Sequence, residues 1–147
     1  MIKVYSVLLA ALLLVAGCAN SSTRFAFEAG EGIYAYSHNT NVLSSNAYYM
    51  AEEWLTTNIA KANDVITLRQ PETGVLIATP SLEVPVGLTT LWGKYTLKIS
   101  CQDNQVTTRF TLHPLDSGYY PPKSAMSGIE TKFKLLSFDL AEYISNN

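Results

Sequence analysis

Two neighbouring stretches of the chain alternate apolar and polar residues with the period of a β-strand. They cover 94–102 and 105–113, and the Asp103-Asn104 pair between them tolerates the positive φ that a two-residue turn needs. If the turn lies there, Leu97 faces Phe110 on one side of the ribbon, and the other side carries threonine, serine and basic residues. Because the two strands agree independently on the apolar side, we predict an antiparallel hairpin with one buried face.

Apolar residues at intervals of three and four predict two amphipathic helices. The first covers about 47–62, and a serine or asparagine at 44–46 is expected to cap it. The second is predicted to begin at Ser127, since Ser127 and Glu130 have the spacing of a capping box, and to run toward the end of the chain. Each helix has one face suited to packing on a sheet.

Shorter β-prone runs lie before and between these helices. Residues 25–27 and 33–36 precede the first helix, and a polar loop over 38–45 leads into it. After the first helix we predict a strand over 65–69, a turn at 71–74 and a strand from Val75 that kinks at Pro80. Residues 87–93 are expected to connect that strand to the hairpin, and 114–128 form a long loop after it.

The N-terminal residues have the layout of an export signal. Lys3 precedes an apolar run over 4–15, which is shorter than the about 20 residues that a helix needs to cross a bilayer. The motif Val15-Ala16-Gly17-Cys18 resembles the lipobox of bacterial lipoproteins. This resemblance implies cleavage before Cys18 and acylation of its thiol, whereas the alternative is a soluble signal peptide that leaves Cys18 as a free thiol.

The chain is therefore divided into a lipoprotein signal peptide at 1–17, a lipidated cysteine and short tether at 18–23, and one α+β domain at 24–147. Acyl chains contribute ~0.8 kcal/mol for each buried methylene, so the lipid on Cys18 is expected to hold the domain at a membrane. Ala19 stands where an inner-membrane retention signal usually has Asp. By that similarity we expect a bacterial envelope protein at the outer membrane, facing the periplasm.

Composition agrees with one folded domain and excludes some partners. The chain has 147 residues, of which only 15% are charged, and 9 tyrosines. Its net charge of −2 becomes one unit more acidic when Lys3 is removed, so nucleic acid is not an expected partner. Once Cys18 is acylated, Cys101 is the only thiol that remains, and no disulfide can form within the chain.

Several segments resemble a bacterial domain-of-unknown-function family with a TBP-like fold. They are Ala47-Tyr48-Tyr49-Met50-Ala51-Glu52-Glu53-Trp54-Leu55, Asp64-Val65-Ile66, Gly74-Val75-Leu76-Ile77 and Tyr95-Thr96-Leu97-Lys98-Ile99. The resemblance implies a curved antiparallel sheet of about five strands with two helices on one face. It covers roughly half of the mature chain and brings no catalytic residues.

The sequence does not combine side chains in a catalytic pattern, so we expect neither an enzyme nor a cofactor. His38 and His113 are far apart and have no cysteine or carboxylate at metal-ligand spacing, so no metal site is expected. The segment 87–94 departs from a phosphate-binding loop in its glycine spacing and ends in Lys94-Tyr95 rather than Lys followed by Ser or Thr. Cys101 shares the phase of the buried hairpin residues and is predicted to be a core residue.

The polar side of the hairpin is the candidate site. Its predicted register places Lys98 opposite Arg109 and Lys94 opposite His113. Facing like charges cost stability unless an anion lies between them, so these four residues predict a patch for an anionic ligand or partner. The alternative is that Glu83 or another acidic residue on a neighbouring strand neutralises them.

The expected function is binding, as an accessory protein of the envelope with another envelope protein as a possible partner. An inhibitor or immunity lipoprotein that neutralises a toxin or lysozyme is the alternative. For that function, Tyr119 and Tyr120 in the long loop before the last helix are the candidate interface residues.

Overall fold

The computed structural model of the chain describes residues 23–25, 32–59 and 61–147. The predicted signal peptide and Cys18 lie outside these residues, and so does most of the tether. The described strands are β1 (Thr23–Phe25), β2 (Ile33–Asn39), β3 (Ile66–Gln70), β4 (Val75–Ala78), β5 (Ser81–Val86), β6 (Thr89–Gln102) and β7 (Gln105–Leu112). The described helices are α1 (Ser44–Asn58), the single turn α2 (Ala62–Val65) and α3 (Lys123–Asn146).

The strands form one antiparallel sheet with the spatial order β1-β2-β7-β6-β4-β3, and β5 pairs with the first half of β6. Helices α1 and α3 pack on the same face of this sheet and against each other. The predicted α+β fold is confirmed, although the described residues contain seven strands rather than about five. The predicted β-prone run at 25–27 corresponds to β1, which begins earlier, at Thr23 within the predicted tether. Strand β5 is separate from β4 because of the kink at Pro80.

The predicted hairpin is present as β6 and β7, in the predicted register. Leu97 pairs with Phe110, Cys101 with Val106 and Gln102 with Gln105, so Asp103-Asn104 is the turn. Asn104 has a φ of 61°, as a two-residue turn of this kind needs. The alternating pattern therefore determined both the pairing and the buried face.

The segment 87–93 is a tight turn followed by strand rather than a loop. Val86 pairs with Thr89, which leaves only Gly87 and Leu88 between β5 and β6. Strand β6 therefore begins five residues earlier than we predicted and is long enough to pair with β4, β5 and β7. The segment lacks a clear alternation of apolar and polar residues that would have predicted a strand. Thr89 and Thr90 are both exposed, because they lie at the end of the two-stranded ribbon formed by β5 and β6.

The predicted turn between β3 and β4 is present, and it depends on Gly74. This residue ends a short 3-10 turn, Pro71–Thr73, with a φ of 67°. A Cβ at this position would lie 2.3 Å from the carbonyl oxygen of Cys101 on β6. The close approach allows the Cys101 amide to donate a 2.8 Å hydrogen bond to the Gly74 carbonyl, which joins the turn to the centre of the sheet.

Helix ends differ from the predicted ones. Helix α1 ends at Asn58, and no side chain at 44–46 caps it; instead the Ser44 amide donates to the Asp103 carboxylate at 2.8 Å, from the turn of the hairpin. Helix α3 begins at Lys123, directly after Pro122, and not at Ser127. The Ser127–Glu130 capping box is therefore absent, because Ser127 already lies inside the helix, where its carbonyl accepts from the Thr131 hydroxyl.

An aromatic cluster joins α3 to the sheet. Phe133 stacks on Phe110 of β7 with ring centroids 4.4 Å apart, and it also contacts Tyr95 of β6 and Tyr34 of β2. On α1, Trp54 is buried and donates its indole N–H to Asp139 of α3 at 2.8 Å. The core thus lies between the two helices and one face of the sheet, and the described helices leave the other face uncovered.

Candidate functional site

The candidate site lies on the face of the sheet that the helices do not cover. Strand β6 buries Tyr95, Leu97 and Ile99 against the helices, so the residues between them face the opposite way. Strand β7 alternates in the same manner, with Phe110 and Leu112 buried. The residues that β6 and β7 bring to this open face are Thr96, Lys98, Ser100, Thr107, Arg109 and Thr111.

Lys98 and Arg109 lie directly opposite each other at the centre of the open face, and both are exposed. The next strand on the β4 side places Ile77 beside Lys98, and the β2 side places Ala35 beside Arg109. The row across four strands is therefore Ala35, Arg109, Lys98 and Ile77. Two cations stand side by side between two apolar residues.

The described residues around this pair include no carboxylate. The neighbours along β6 and β7 are threonine or serine. The diagonal positions are Val75 on β4 and Ile33 and Ser37 on β2, and the residue that follows β4 is Thr79. Glu83 cannot neutralise the pair, because it lies opposite Trp92, six residues along β6 from Lys98 and so roughly 20 Å away. The ion pair found among the described residues joins Arg69 to Glu52, at the edge of the helical face.

Lys94 and His113 lie farther along the same ribbon. The His113 amide donates a 3.0 Å hydrogen bond to the Lys94 carbonyl, which continues the ladder beyond the last regular pair. The His113 ring nitrogen Nε2 lies 2.7 Å from the Thr96 hydroxyl, so the imidazole already has a partner. Lys94 is four residues from Lys98, about 13 Å along the strand, so the four predicted residues form two pairs rather than one compact patch.

The loop with Tyr119 and Tyr120 is fixed at its base. The Leu115 amide donates to the Tyr119 carbonyl at 2.7 Å, and buried Leu115 packs over Gly93 of β6. The two tyrosine side chains remain 77% and 60% exposed. They are presented on a turn with a defined backbone, although the loop is shorter than we predicted because α3 starts at Lys123.

The described residues offer little for catalysis. No three histidine, cysteine or acidic side chains among them come close enough to hold a metal ion. Cys101 is buried, as its phase predicted, and burial raises the pKa of its thiol to about 11, so it is a protonated core residue at neutral pH. No helix in the part of the chain that the structure describes has the length and hydropathy of a membrane span.

One polar cluster joins α3 to the sheet and was not predicted from the sequence. His38 of β2 places Nε2 2.9 Å from the Ser137 hydroxyl of α3, and the Thr108 hydroxyl of β7 donates to the same oxygen at 2.6 Å. Ser137 is 0% exposed, so no substrate can reach this serine, and the cluster ties the helix to the sheet. Burial lowers the pKa of His38 and favours its neutral ring. The available signal was that both residues occupy apolar phases.

Comparison with known proteins supports the fold. No family model matches the sequence, and no curated protein does either. Among solved structures, a TBP-like protein from Parabacteroides distasonis superposes with a TM-score of 0.58 at 16% identity, over 80% of this chain and 96% of that one. A DUF4468 family protein from Bacteroides ovatus gives 0.52 at 9% identity, over 81% and 89%.

A third solved structure, Ara h 8.0201, gives a TM-score of 0.50 at 12% identity, over 80% of this chain and 100% of that one. At these identities the likeness concerns the fold alone. The chain therefore has a TBP-like fold, in agreement with the resemblance inferred from its sequence.

Proposed function

We propose that this chain is a lipid-anchored protein of the bacterial envelope, and that the open face of its sheet binds an acidic surface of another envelope protein. The observation that carries this proposal is the facing pair Lys98 and Arg109, which has no carboxylate at any described neighbouring position. Facing cations cost a few tenths to about 1 kcal/mol in a sheet, and an acidic partner would remove this cost.

The surroundings of the pair favour a protein partner over a free ion. Ile77 and Ala35 flank the cations, and the serine and threonine hydroxyls around them can donate or accept hydrogen bonds. Interfaces between proteins commonly combine such apolar contacts with arginine at their centre. The anchor that would bring the domain to its partner is the acylated Cys18.

The test is site-specific photo-crosslinking in intact cells. A photoreactive amino acid replaces Thr96 on the open face, and a protein adduct is compared between the parent and the K98Q/R109Q variant. We expect the adduct to disappear in the variant. The matched control K61Q/K123Q removes two exposed cations elsewhere and should leave the adduct unchanged. An adduct that survives K98Q/R109Q, or crosslinks only to glycan or lipid, contradicts the proposal.

A second measurement needs no partner. If Lys98 and Arg109 repel each other in the free protein, the Lys98→Gln variant should unfold at a higher temperature than the parent, and the difference should shrink as salt screens the charges. The Lys61→Gln variant is the control, because Lys61 is exposed and lies outside the sheet. A lower unfolding temperature for Lys98→Gln would mean that Lys98 already has a stabilising neighbour.

The inhibitor or immunity function is a second candidate, and the exposed Tyr119 and Tyr120 side chains favour it. Tyrosines on a fixed turn resemble the anchors that fill a groove on a partner. The Y119S/Y120S variant should then lose inhibition of the target enzyme, for example a lysozyme, while K98Q/R109Q retains it. Retained inhibition by Y119S/Y120S would exclude this loop as the inhibitory element.

A further inference from the structure

The outer face of α3 carries two exposed large apolar residues. Leu135 is 63% exposed and Phe138 is 57% exposed, while Phe133, Leu140 and Ile144 on the other side of the same helix are buried in the core. Leu135 and Phe138 are three residues apart, so they project from one side of the helix. More than half of each side chain is exposed to water, which is unfavourable for apolar groups.

The start of β1 lies near one member of this apolar pair, Phe138. Strand β1 runs antiparallel to β2 and pairs Thr23 with Ser37, so the first residue of β1 lies beside the end of β2 that carries His38. His38 is the residue whose ring contacts Phe138, with centroids 6.3 Å apart. Thr23, which is the described residue nearest to Cys18 in the sequence, and Phe138 therefore lie at the same end of the domain.

The tether is too short to let the domain turn freely away from the membrane. Thr23 is five residues after Cys18, and five fully extended residues span at most about 18 Å. A helix with its side chains is about 10–12 Å across. Whichever surface lies at this end of the domain must consequently remain within roughly two helix diameters of the lipid headgroups.

Three surfaces meet at this end, and their chemistry differs. The open sheet face presents Ser37 and Thr107, whose hydroxyls lie 3.1 Å apart, and the end of the sheet presents the amides of Asn39 and Asn104. The outer face of α3 presents Leu135 and Phe138, with the exposed charged residues Lys134 and Glu142 one turn on either side of Phe138. Only the last combination gains free energy by entering the interfacial region of a bilayer, where apolar and aromatic side chains are buried.

We infer that the Leu135–Phe138 face of α3 lies on the phospholipid surface when Cys18 is acylated, which turns the open sheet face away from the membrane. This inference rests on the lipid anchor in the proposed function. It adds an orientation, because an acyl chain alone holds the domain near the membrane without selecting a face.

The test uses the lipidated mature chain, purified from membranes and reconstituted into phosphatidylcholine vesicles. An environment-sensitive dye is attached to T131C, one turn before Leu135, or to T90C on β6 as the control position. Acylated Cys18 has no free thiol, and buried Cys101 does not compete for the dye. We expect a blue shift at position 131, loss of its emission when the acyl chains are brominated, and neither effect at position 90.

Three other outcomes would overturn the inference, and the measurements distinguish their causes. Equal emission at 131 and 90 in acylated protein rejects the orientation and leaves the anchor intact. Absence of an acyl group in the mass of the N-terminal peptide rejects the anchor and the orientation together. A dye at 131 that is already shielded in the Cys18→Ser form without vesicles means that a second copy or another segment of the chain covers this face. If the inference is correct, the L135S/F138S variant should abolish the blue shift of the dye at position 131, because the dye is then exposed to water.

Discussion

Helix α3 contains two phenylalanines in opposite environments, and exchanging each for alanine tests the assigned core. Phe133 is fully buried and lies against Phe110, Tyr95 and Tyr34, whereas Phe138 lies largely in water beside His38. The same side chain is removed from the same helix in both variants. Differences in helix propensity between the two positions therefore cancel to a good approximation.

The expected magnitudes differ several-fold. Truncating a buried phenylalanine to alanine costs about 3–5 kcal/mol, because apolar contact is lost and a cavity remains. Three aromatic contacts place Phe133→Ala toward the upper end of that range, since each such pair adds about 0.5–1.5 kcal/mol beyond burial. Phe138→Ala should cost less than about 1 kcal/mol. A domain stable by about 5 kcal/mol, at the low end of the usual range, would be close to unfolding with the first change and little affected by the second.

The assay is urea unfolding of the mature chain in its Cys18→Ser form, followed by tyrosine and tryptophan fluorescence and by circular dichroism. Linear extrapolation gives the free energy of unfolding of each variant. Equal losses for Phe133→Ala and Phe138→Ala, or a larger loss for Phe138→Ala, would show that α3 is rotated about its axis from the described packing. That result would also remove the exposed face from which the membrane orientation was inferred.

Three further predictions follow from the turn, the half-buried histidine and the buried thiol. Gly74→Ala should lower the unfolding temperature markedly, because a Cβ at positive φ would collide with the Cys101 carbonyl; Gly128→Ala, at a glycine with open space around it, is the control. The free energy of unfolding should fall as pH drops below the ordinary histidine value of 6.5, since burial lowers the folded pKa of His38 and the unfolded chain binds the proton more tightly. A His38→Gln variant should flatten that dependence, and an unchanged slope would assign it elsewhere. In the Cys18→Ser form, Cys101 should react with a thiol reagent only at the rate of unfolding, and rapid reaction in the native protein would contradict its burial.

The sequence predicted the features that depend on regular alternation. Two strands with independent two-residue periods agreed on one register, so the Asp103-Asn104 turn and the facing Lys98 and Arg109 could be located without coordinates. The helix faces were also predictable, because Trp54 and Phe133 lie in apolar stripes. Local periodicity is thus sufficient to predict the buried face of a strand or helix that packs with one side on the core.

The failures arise where distant residues decide a local feature. The cap of α1 comes from Asp103, which is 59 residues from Ser44, and no pattern within the helix indicates it. The His38–Ser137 contact joins residues 99 apart, and although each residue occupies an apolar phase, nothing in the sequence pairs the two. At the start of α3, Pro122 ends the preceding loop and fixes the helix entry, so the Ser127–Glu130 spacing had no role.

The two proposed surfaces lie on opposite sides of the domain, which yields a prediction that neither proposal makes alone. If the Leu135–Phe138 face lies on the bilayer, Lys98 must point into the aqueous phase. A K98C thiol should then react with a charged, membrane-impermeant reagent at the same rate in vesicle-bound lipidated protein as in the Cys18→Ser form in solution. A T131C thiol should react more slowly in vesicles, because the headgroups cover it. Slower reaction at position 98 with unchanged reaction at 131 would reverse the orientation, and the open face could then bind anionic headgroups rather than a partner in the periplasm.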